Sequence, residues 1–228
     1  MIKLPKKLRD LRYKIFYSLL LRDGCERIVL GDQSIGLQWT ICPTGLKAQS
    51  VVYSGGVGTD ISFEHELVRR FGCNIVLLDP SPTGVKTMAR PENSIPQLKF
   101  SPLALCASTG KLKMAPPVPG GDSWSAQRND NATLEVASTD LSTLMRQNGH
   151  SHIDLLKIDI EGCEYEVIDD ILRRRIPVRQ ICADFDYDRI AGASRGKAIR
   201  AMLKLAARGY KLISYEAANH TFVLGPRP

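Results

Sequence analysis

Four ionisable side chains follow one another closely in one part of the sequence: Lys157, Asp159, Glu161 and Glu164. They come at the end of an apolar run that begins at Ile153 and is typical of a buried strand, where charged groups are costly without partners. Lys157 and Asp159 are two residues apart and therefore share a face of that strand. Carboxylates at a strand end can remove a proton from an alcohol, whereas an ion pair beside helix-capping acids is the structural alternative.

A glycine-rich segment earlier in the chain, residues 51–60 (Val-Val-Tyr-Ser-Gly-Gly-Val-Gly-Thr-Asp), could hold a nucleotide-like cofactor together with Asp79, which follows Gly58 by 21 residues. The dinucleotide fingerprint has a third glycine where this chain has Ile61, and Asp60 would repel a pyrophosphate, which counts against NAD. S-adenosylmethionine fits better because it has an ammonium group and no phosphate, and Asp79 can accept its ribose hydroxyls. A plain turn between a strand and a helix is the alternative.

Strands and helices alternate along the chain, and this arrangement could bring the two segments together. Strands are predicted at residues 50–53, 75–78, 99–106, 153–160, 180–185, 210–215 and 221–224, and helices at residues 61–71, 139–147, 162–172 and 199–206. A hairpin formed by residues 27–32 and 36–42 precedes them. The alternation predicts a doubly wound α/β sheet that binds its ligands at the carboxyl ends of the strands.

Length, composition and charge restrict the classes of protein that this chain could be. With 228 residues, 43% of them hydrophobic and 24% charged, it fits one large globular α/β domain. The net charge is +7, but residues 1–22 contain seven basic residues and one acid, so the body is nearly neutral and nucleic-acid binding is not expected. The six cysteines form no CxxC pair, which disfavours zinc, and we expect reduced thiols in a cytoplasmic protein.

The first 22 residues have the pattern of an amphipathic basic helix. Apolar residues recur at spacings of three and four, with basic residues largely between them: Leu4, Leu8, Leu11, Ile15 and Leu19. One interpretation is peripheral docking on an anionic membrane surface. The other is that the apolar stripe packs on the protein's own core.

The segment from residue 115 to residue 132 is rich in Pro, Gly, Ser and Asn, and we expect no regular structure there. A loop of this length in a compact domain is usually functional or disordered. It contains Trp124, a large apolar side chain. We therefore predict either a lid over a substrate, with Trp124 facing it, or a loop in which Trp124 fills a core edge.

Three segments together resemble the FkbM-type S-adenosylmethionine-dependent methyltransferases. They are Val52-Tyr-Ser-Gly-Gly-Val-Gly-Thr-Asp-Ile-Ser-Phe63, Leu78-Asp-Pro-Ser-Pro82 and Ile153-Asp-Leu-Leu-Lys-Ile-Asp-Ile-Glu-Gly-Cys-Glu-Tyr-Glu-Val-Ile168, and the last is the most specific. The resemblance runs from about Trp39 to the closing Thr221-Phe-Val. It implies a seven-stranded, mostly parallel Rossmann-like sheet whose last strand is antiparallel, in residues 49–228, after a helix and hairpin extension in residues 1–48.

The resemblance also implies methyl transfer, usually to a hydroxyl oxygen of a sugar, glycolipid or natural product. The cofactor would contact residues in two groups: Ser54, Gly55, Gly56, Val57, Gly58, Thr59 and Asp60 at its methionine end, and Asp79 and Pro80 at its ribose. Asp159 and Glu161 would lie near the transferred methyl group.

From the residues around this strand end we expect Glu161 or Asp159 to be the general base. Lys157 would orient a carboxylate or the acceptor, and Asp184 is a second candidate base. Two or three of these acids could instead hold Mg²⁺, although no metal is our preferred reading. Relatives tend to have acid-aromatic-His where this chain has Asp184-Phe185-Asp186, so a histidine base is not available at that place.

Three other functions remain open from the sequence. A non-catalytic, membrane-associated scaffold could keep the fold, and the departure at residues 184–186 favours it. An NAD-dependent oxidoreductase is disfavoured by Ile61 and Asp60, and an RNA methyltransferase by the nearly neutral body. Of the histidines, His150 and His152 precede a strand at its far end, which favours a structural role, and His220 could approach the pocket from the closing turn but is not expected there.

Overall fold

The computed structural model describes residues 15–34, 36–126, 132–185 and 193–225. The strands are β1 (Ile28–Asp32), β2 (Leu37–Ile41), β3 (Val51–Gly55), β4 (Asn74–Leu78), β5 (Leu98–Ser101), β6 (Ala104–Leu105), β7 (Gly110–Ala115), β8 (Ser125–Ala126), β9 (Leu134–Thr139), β10 (Ile153–Ile158), β11 (Val178–Asp184), β12 (Tyr210–Glu216) and β13 (Asn219–Leu224). The helices are α1 (Ser62–Phe71), α2 (Pro82–Met88), α3 (Leu141–Asn148), α4 (Glu164–Arg174) and α5 (Arg195–Ala207), with a 3-10 turn at Pro91–Asn93.

A seven-stranded central sheet has the order β12-β13-β11-β10-β3-β4-β5. Strands β11, β10, β3, β4 and β5 pair in parallel, whereas β13 runs antiparallel to both β11 and β12. The prediction of a mostly parallel sheet with an antiparallel last strand is therefore confirmed. Because β10 lies directly beside β3, the acid-rich segment and the glycine loop end at the same edge of the sheet.

The two faces of the sheet are covered by different elements. Apolar residues of α3, α4 and α5 form one core with one face, to which Leu156 of β10 contributes. The hairpin β1–β2 and α1 form a second core on the other face of the sheet. Leu155, which precedes Leu156 in β10, contributes to this second core. Alternate residues of β10 therefore face opposite layers, as the period of a strand requires.

The hairpin extension is joined tightly to the sheet. Trp39 and Ile41 of β2 are buried in the same core as β3 and β4. The side chain of Gln180 on β11 accepts a hydrogen bond from the backbone N–H of Cys42 and donates one to its carbonyl. The predicted hairpin is confirmed, and the proposed division between residues 48 and 49 stays a prediction.

The region after β4 differs from the prediction. Residues 99–106 were expected to form one strand, but Pro102 separates β5 of the central sheet from β6 of a second, four-stranded sheet with the order β6-β9-β7-β8. Proline donates no backbone hydrogen bond, so a strand that contains it cannot continue its ladder. The expectation of no regular structure across residues 115–132 is also wrong at both described ends, since β7 extends to Ala115 and β8 pairs with it.

The described part of the amino-terminal arm is helical at residues 15–20. Phe16, Tyr17 and Leu20 pack against the core, whereas Ile15 and Leu19 are 50% and 64% exposed. The interpretation that this arm packs on the core therefore holds for the described helix, but through other side chains than Ile15 and Leu19 of the apolar stripe, and Leu4, Leu8 and Leu11 lie outside the described residues. Among the helices that are described, none has the length and apolar content to cross a membrane.

Candidate active site

A cavity of about 520 Å³ opens at the carboxyl ends of β3, β4, β10 and β11. This volume lies in the range of small-molecule sites, and the position is where a doubly wound sheet binds its ligands. Its lining includes residues 36–39 of the hairpin, 56–60 after β3, 78–81 after β4, 122–124 before β8, 159–161 after β10 and 216–219 between β12 and β13, together with Lys157 and Asp184.

The glycine loop after β3 is held against the end of β10. Gly56 has a φ of +88°, and a Cβ atom at this position would lie 1.8 Å from the carbonyl oxygen of Asp159. No L side chain can occupy that place, so glycine is required there by a backbone contact within the protein. At Gly58, where φ is +56°, an added Cβ atom would meet nothing within 4 Å, so the cavity side of the loop is open.

Asp79 connects the end of β4 to the glycine loop. One carboxylate oxygen, Oδ2, accepts hydrogen bonds from the backbone N–H groups of Val57 at 2.9 Å and Gly58 at 3.0 Å, and Oδ1 accepts one from Ser81 at 2.8 Å. A carboxylate has about four acceptor positions, so these contacts leave roughly one for a ligand. Asp79 lines the cavity at the predicted place, and the structure adds that it fixes the shape of the loop.

A buried polar cluster supports the loop from beneath. The ammonium group of Lys157 donates a 2.7 Å hydrogen bond to the carbonyl oxygen of Gly56 and lies 3.5 Å from the carboxylate of Glu64, which in turn accepts a hydrogen bond from Ser54. Burial alone would lower the pKa of Lys157, but the charges of Glu64, Asp159 and Asp79 outweigh it and raise that pKa above its ordinary value. Lys157 therefore stays charged.

The turn after β10 has an unusual backbone conformation that a second carboxyl group stabilises. Glu161 has a φ of +54°, which is uncommon for a residue with a side chain. The carboxyl group of Glu164 accepts hydrogen bonds from the backbone N–H groups of Ile160 and Gly162, on both sides of Glu161. Burial raises the pKa of Glu164 to about 8, against the opposing effect of these backbone hydrogen bonds. Glu164 thus shapes the turn that presents Glu161 to the cavity.

Three candidate acids meet at the cavity. Ile158 of β10 pairs with Ala183 of β11, so the residues that follow them, Asp159 and Asp184, lie side by side at the ends of adjacent parallel strands. Glu161 lies in the turn immediately after Asp159, and all three residues line the cavity. The arrangement brings three carboxylates into the same cavity as the glycine loop, where they could accept a proton from a bound molecule or hydrogen-bond to it.

The loop before β8 covers the glycine loop. The side chain of Thr59 donates a hydrogen bond to the carboxylate of Asp122, and that of Thr83 donates one to the backbone carbonyl of the same residue. Trp124 lines the cavity and is only partly buried. Of the two interpretations of this loop, its position over the cavity favours the lid.

Most of the predicted site residues are brought together at the cavity, with two exceptions. Lys157, Asp159, Glu161, Asp184, Asp79, Pro80 and residues 56–60 line it. Ser54 and Gly55 are not part of the described lining, because Ser54 faces Glu64 beneath the loop. Lys157 hydrogen-bonds to Gly56 of the glycine loop, pairs with the carboxylate of Glu64 and interacts electrostatically with Asp159, and its orienting role in the reaction stays a prediction.

The sequence prediction missed several residues of the site. Glu64 was not among the predicted site residues, but it is only 1% exposed and pairs with Lys157. Glu216 and Asn219, from the turn between β12 and β13, line the cavity beside Gln38 of the hairpin. No local motif marks these residues, because they come from elements distant in sequence that the sheet order brings together.

The histidines and possible metal ligands add little to the site. His220 is buried, and burial lowers its pKa to about 4. Its ring bonds to Tyr17 and to the backbone carbonyl of Ala218, and it is absent from the described lining of the cavity, in agreement with a structural role. In the described ranges, no group of three or more His, Cys, Asp or Glu side chains is arranged to hold a metal ion.

Comparisons with known proteins give one family and weak structural likenesses. A family model described as the methyltransferase FkbM domain matches residues 48–212, which is most of the chain. No curated protein sequence matches it.

Two solved structures illustrate the structural likenesses. The Methanococcus jannaschii fibrillarin pre-rRNA processing protein is 11% identical with a TM-score of 0.42, covering 90% of this chain and 93% of that one. The N-terminal domain of human METTL16 in complex with SAH is 11% identical with a TM-score of 0.43, covering 96% and 82%. At such values neither likeness carries an argument about function.

Proposed function

The chain belongs to the FkbM methyltransferase family, whose methyl donor is S-adenosylmethionine, and from this we propose that it methylates a hydroxyl oxygen of a sugar, glycolipid or natural product. The observation that carries the proposal is the convergence of Asp159, Glu161 and Asp184 on a cavity that the glycine loop also lines. An acceptor hydroxyl bound there would lie beside these carboxylates and beside the glycine loop that we expect to bind the cofactor.

The residues around the glycine loop fit the cofactor. The open side of Gly58 leaves room for a ligand against the backbone, and Asp79 retains about one acceptor position for a ribose hydroxyl. Asp60 lines the same wall and can face the ammonium group of a methionine moiety. Bound S-adenosylmethionine supplies an electrophilic methyl group on its sulfonium sulfur.

The protein's own contribution is to position the acceptor and take its proton. A hydroxyl oxygen is a weak nucleophile until its proton leaves, so a carboxylate within hydrogen-bond reach accelerates the reaction. We assign this role to Glu161 or Asp159, with Asp184 as the second candidate. Trp124 and the loop that carries it would exclude water from the bound acceptor.

The charge of the cavity supports an acceptor without phosphate. Its described lining contains eight carboxylates and one ammonium group: Asp60, Glu64, Asp79, Asp122, Asp159, Glu161, Asp184, Glu216 and Lys157. An anionic acceptor would be repelled, whereas a neutral polyol would not.

The first test is methyl transfer from S-adenosylmethionine carrying a radiolabelled methyl group to glycolipid fractions and simple polyols. Replacing the base, Glu161→Gln, is expected to lower the rate on the order of 100-fold or more while S-adenosylhomocysteine still binds. The matched control is Glu135→Gln, since Glu135 pairs with Lys111 on the surface of β9, away from the cavity. A Glu161→Gln enzyme that works at the normal rate would remove Glu161 from this role.

The scaffold alternative is kept because residue 186 is Asp where relatives tend to have His. A scaffold would transfer no methyl group to any acceptor fraction, even with the cofactor bound. We also propose a cytoplasmic protein whose residues 1–22 contact an anionic membrane surface, which is supported by the exposed apolar side chains of Ile15 and Leu19.

A further inference from the structure

Two cysteine side chains lie in contact just outside the cavity. Cys106 follows β6, and Cys163 immediately precedes α4. Their sulfur atoms are 3.2 Å apart, although 57 residues separate them in the sequence. With Ala104 they form a small apolar cluster of their own, to which Ile160 and Ala126 also belong.

We propose that Cys106 and Cys163 form a modification site that a hydroperoxide oxidises to a reversible disulfide bond. A disulfide has an S–S length of about 2.05 Å, so the two sulfur atoms must approach by little more than 1 Å. Both residues lie at the ends of elements rather than inside them: Cys106 follows a two-residue strand, and Cys163 ends the turn that contains Gly162. The backbone N–H of Cys106 donates to the carbonyl of Thr139 on β9, so we expect the sulfur atoms to approach by side-chain rotation and by a small shift of the turn before Cys163.

The chemistry balances with the hydroperoxide as the only oxidant. The thiolate of one cysteine attacks a peroxide oxygen, which breaks the O–O bond, gives a sulfenic acid and releases water from hydrogen peroxide or an alcohol from an organic hydroperoxide. The sulfur of the second cysteine then attacks the sulfenic sulfur, which forms the S–S bond and expels the oxygen as water. Two electrons pass from the sulfur atoms to the peroxide, and both thiol protons leave in these products.

The bond would join the cover of the cavity to its acid-bearing turn. β6 belongs to the four-stranded sheet, whose β7 and adjoining loop line the cavity, and Cys163 follows the turn that contains Glu161. A backbone hydrogen bond already connects these two parts, from the N–H of Ala126 to the carbonyl of Glu161. A covalent link would hold the cover over the turn. Closing a loop of 57 residues also restricts the unfolded chain and so raises the melting temperature.

The other cysteines provide an internal comparison. Cys73 and Cys182 are buried like Cys106 and Cys163, but the sulfur of Cys73 bonds to the backbone carbonyl of Leu67 and that of Cys182 to the hydroxyl of Thr221 rather than to a second cysteine. Cys25 interacts with Cys42, but burial raises the pKa of Cys25 to about 11 and this disfavours its reactive thiolate. We therefore expect oxidation to link Cys106 with Cys163 before it links Cys25 with Cys42.

The experiment is peptide mapping of the folded, full-length protein after treatment with hydrogen peroxide, and separately with diamide, followed by alkylation in denaturant. Trypsin places Cys106 in residues 100–111 and Cys163 in residues 158–173, whereas Cys25 and Cys42 fall in residues 23–27 and 28–47. We expect a linked peptide of residues 100–111 and 158–173 that has lost two hydrogen atoms and separates on treatment with dithiothreitol. The melting temperature should rise by on the order of 5–15 °C and return after reduction.

Two variants make the outcome specific. Cys163→Ser should lose both the linked peptide and the rise in melting temperature, whereas Cys25→Ser should keep both. Added glutathione, which both reagents should oxidise fully, serves as the control for their activity. If the linked peptide then forms with neither hydrogen peroxide nor diamide, the proposal is overturned. A link found only between residues 23–27 and 28–47 would also overturn it. The result does not depend on whether the protein proves to be a methyltransferase.

Discussion

At the scale of single residues, the turn that contains Glu161 and the glycine loop are both shaped by carboxyl groups that accept backbone hydrogen bonds. Glu164 is buried and accepts backbone hydrogen bonds on both sides of Glu161, and Asp79 does the same for the glycine loop. The acids of this site therefore divide into two groups. Some shape the backbone, and others, such as Asp159 and Glu161, face the acceptor space.

The buried carboxyl group of Glu164 makes a specific prediction about pH. Its pKa of about 8 in the folded protein is above its ordinary value of 4.5, so the folded state binds more protons than the unfolded state between these pH values. The stability that Glu164 contributes is therefore full below about pH 4.5 and is lost as the pH rises towards 8. In Glu164→Gln this loss is absent, so the variant should gain stability relative to the wild type as the pH rises, on the order of 2–4 kcal/mol.

Denaturant unfolding of both proteins at pH 5 and pH 8.5 measures this difference, and groups common to both cancel. A difference in free energy of unfolding that is the same at both pH values would contradict the assignment. The sequence placed Glu164 in the acid cluster, but only the structure distinguishes it from Glu161, because burial cannot be read from spacing.

At the scale of elements, the contact between the glycine loop and β10 is the feature that brings cofactor and acids together. Gly56 approaches the carbonyl of Asp159 so closely that no side chain fits. The sequence identified the loop correctly and attributed its glycines to a ligand. The structure shows that at Gly56 the requirement comes from the adjacent strand, and a sequence without strand pairing cannot reveal this.

Gly56→Ala tests this contact against a matched control. Gly120 has nearly the same backbone conformation, with a φ of +86° against +88°, but an added Cβ atom there meets nothing within 4 Å. Both substitutions carry the backbone cost of about 1 kcal/mol, but only Gly56→Ala adds a clash, so it should lose at least about 2 kcal/mol more in free energy of unfolding. Equal losses in denaturant unfolding would show that the loop does not press on β10.

The elements of the central sheet were the ones that the sequence predicted best. Its strands and longer helices follow from apolar periodicity, and the position of the cavity follows from the rule that ligands bind at the carboxyl ends of parallel strands. The four-stranded sheet was not predicted. β6 and β8 have two residues each and carry no periodic signal, whereas β7 and β9 have six residues each and are half-exposed, so they lack the continuous apolar run of the central strands. The burial of Glu64 was missed because the spacing of apolar residues in α1 does not show that Lys157 and Ser54 lie against this carboxylate.

At the scale of the whole molecule, charge is divided unevenly along the sequence. Residues 1–22 contain most of the net positive charge, whereas the described lining of the cavity is strongly acidic. This difference agrees with the two proposals that residues 1–22 contact an anionic surface and that the cavity takes a neutral acceptor.

Co-sedimentation with lipid vesicles tests the proposed contact of residues 1–22 with an anionic membrane surface. The wild-type protein should bind vesicles that contain anionic phosphatidylglycerol and should bind phosphatidylcholine vesicles weakly. Leu19→Glu should reduce the anionic binding about tenfold, because it places a charge on the exposed apolar face. Val118→Glu is the control, since Val118 is 74% exposed and lies in another part of the molecule. If Leu19→Glu sediments like the control, the arm does not dock through this face.

The central claim is that the cavity binds S-adenosylmethionine through the glycine loop and Asp79. Calorimetric titration of the purified protein with S-adenosylmethionine, with NAD in parallel and Asp79→Ala as the comparison, tests it most directly. We predict binding of S-adenosylmethionine, no binding of NAD, and a loss of affinity in Asp79→Ala, whose glycine loop has lost two of its backbone hydrogen-bond acceptor contacts. A wild-type protein that binds NAD, or that leaves S-adenosylmethionine unbound, would contradict the claim.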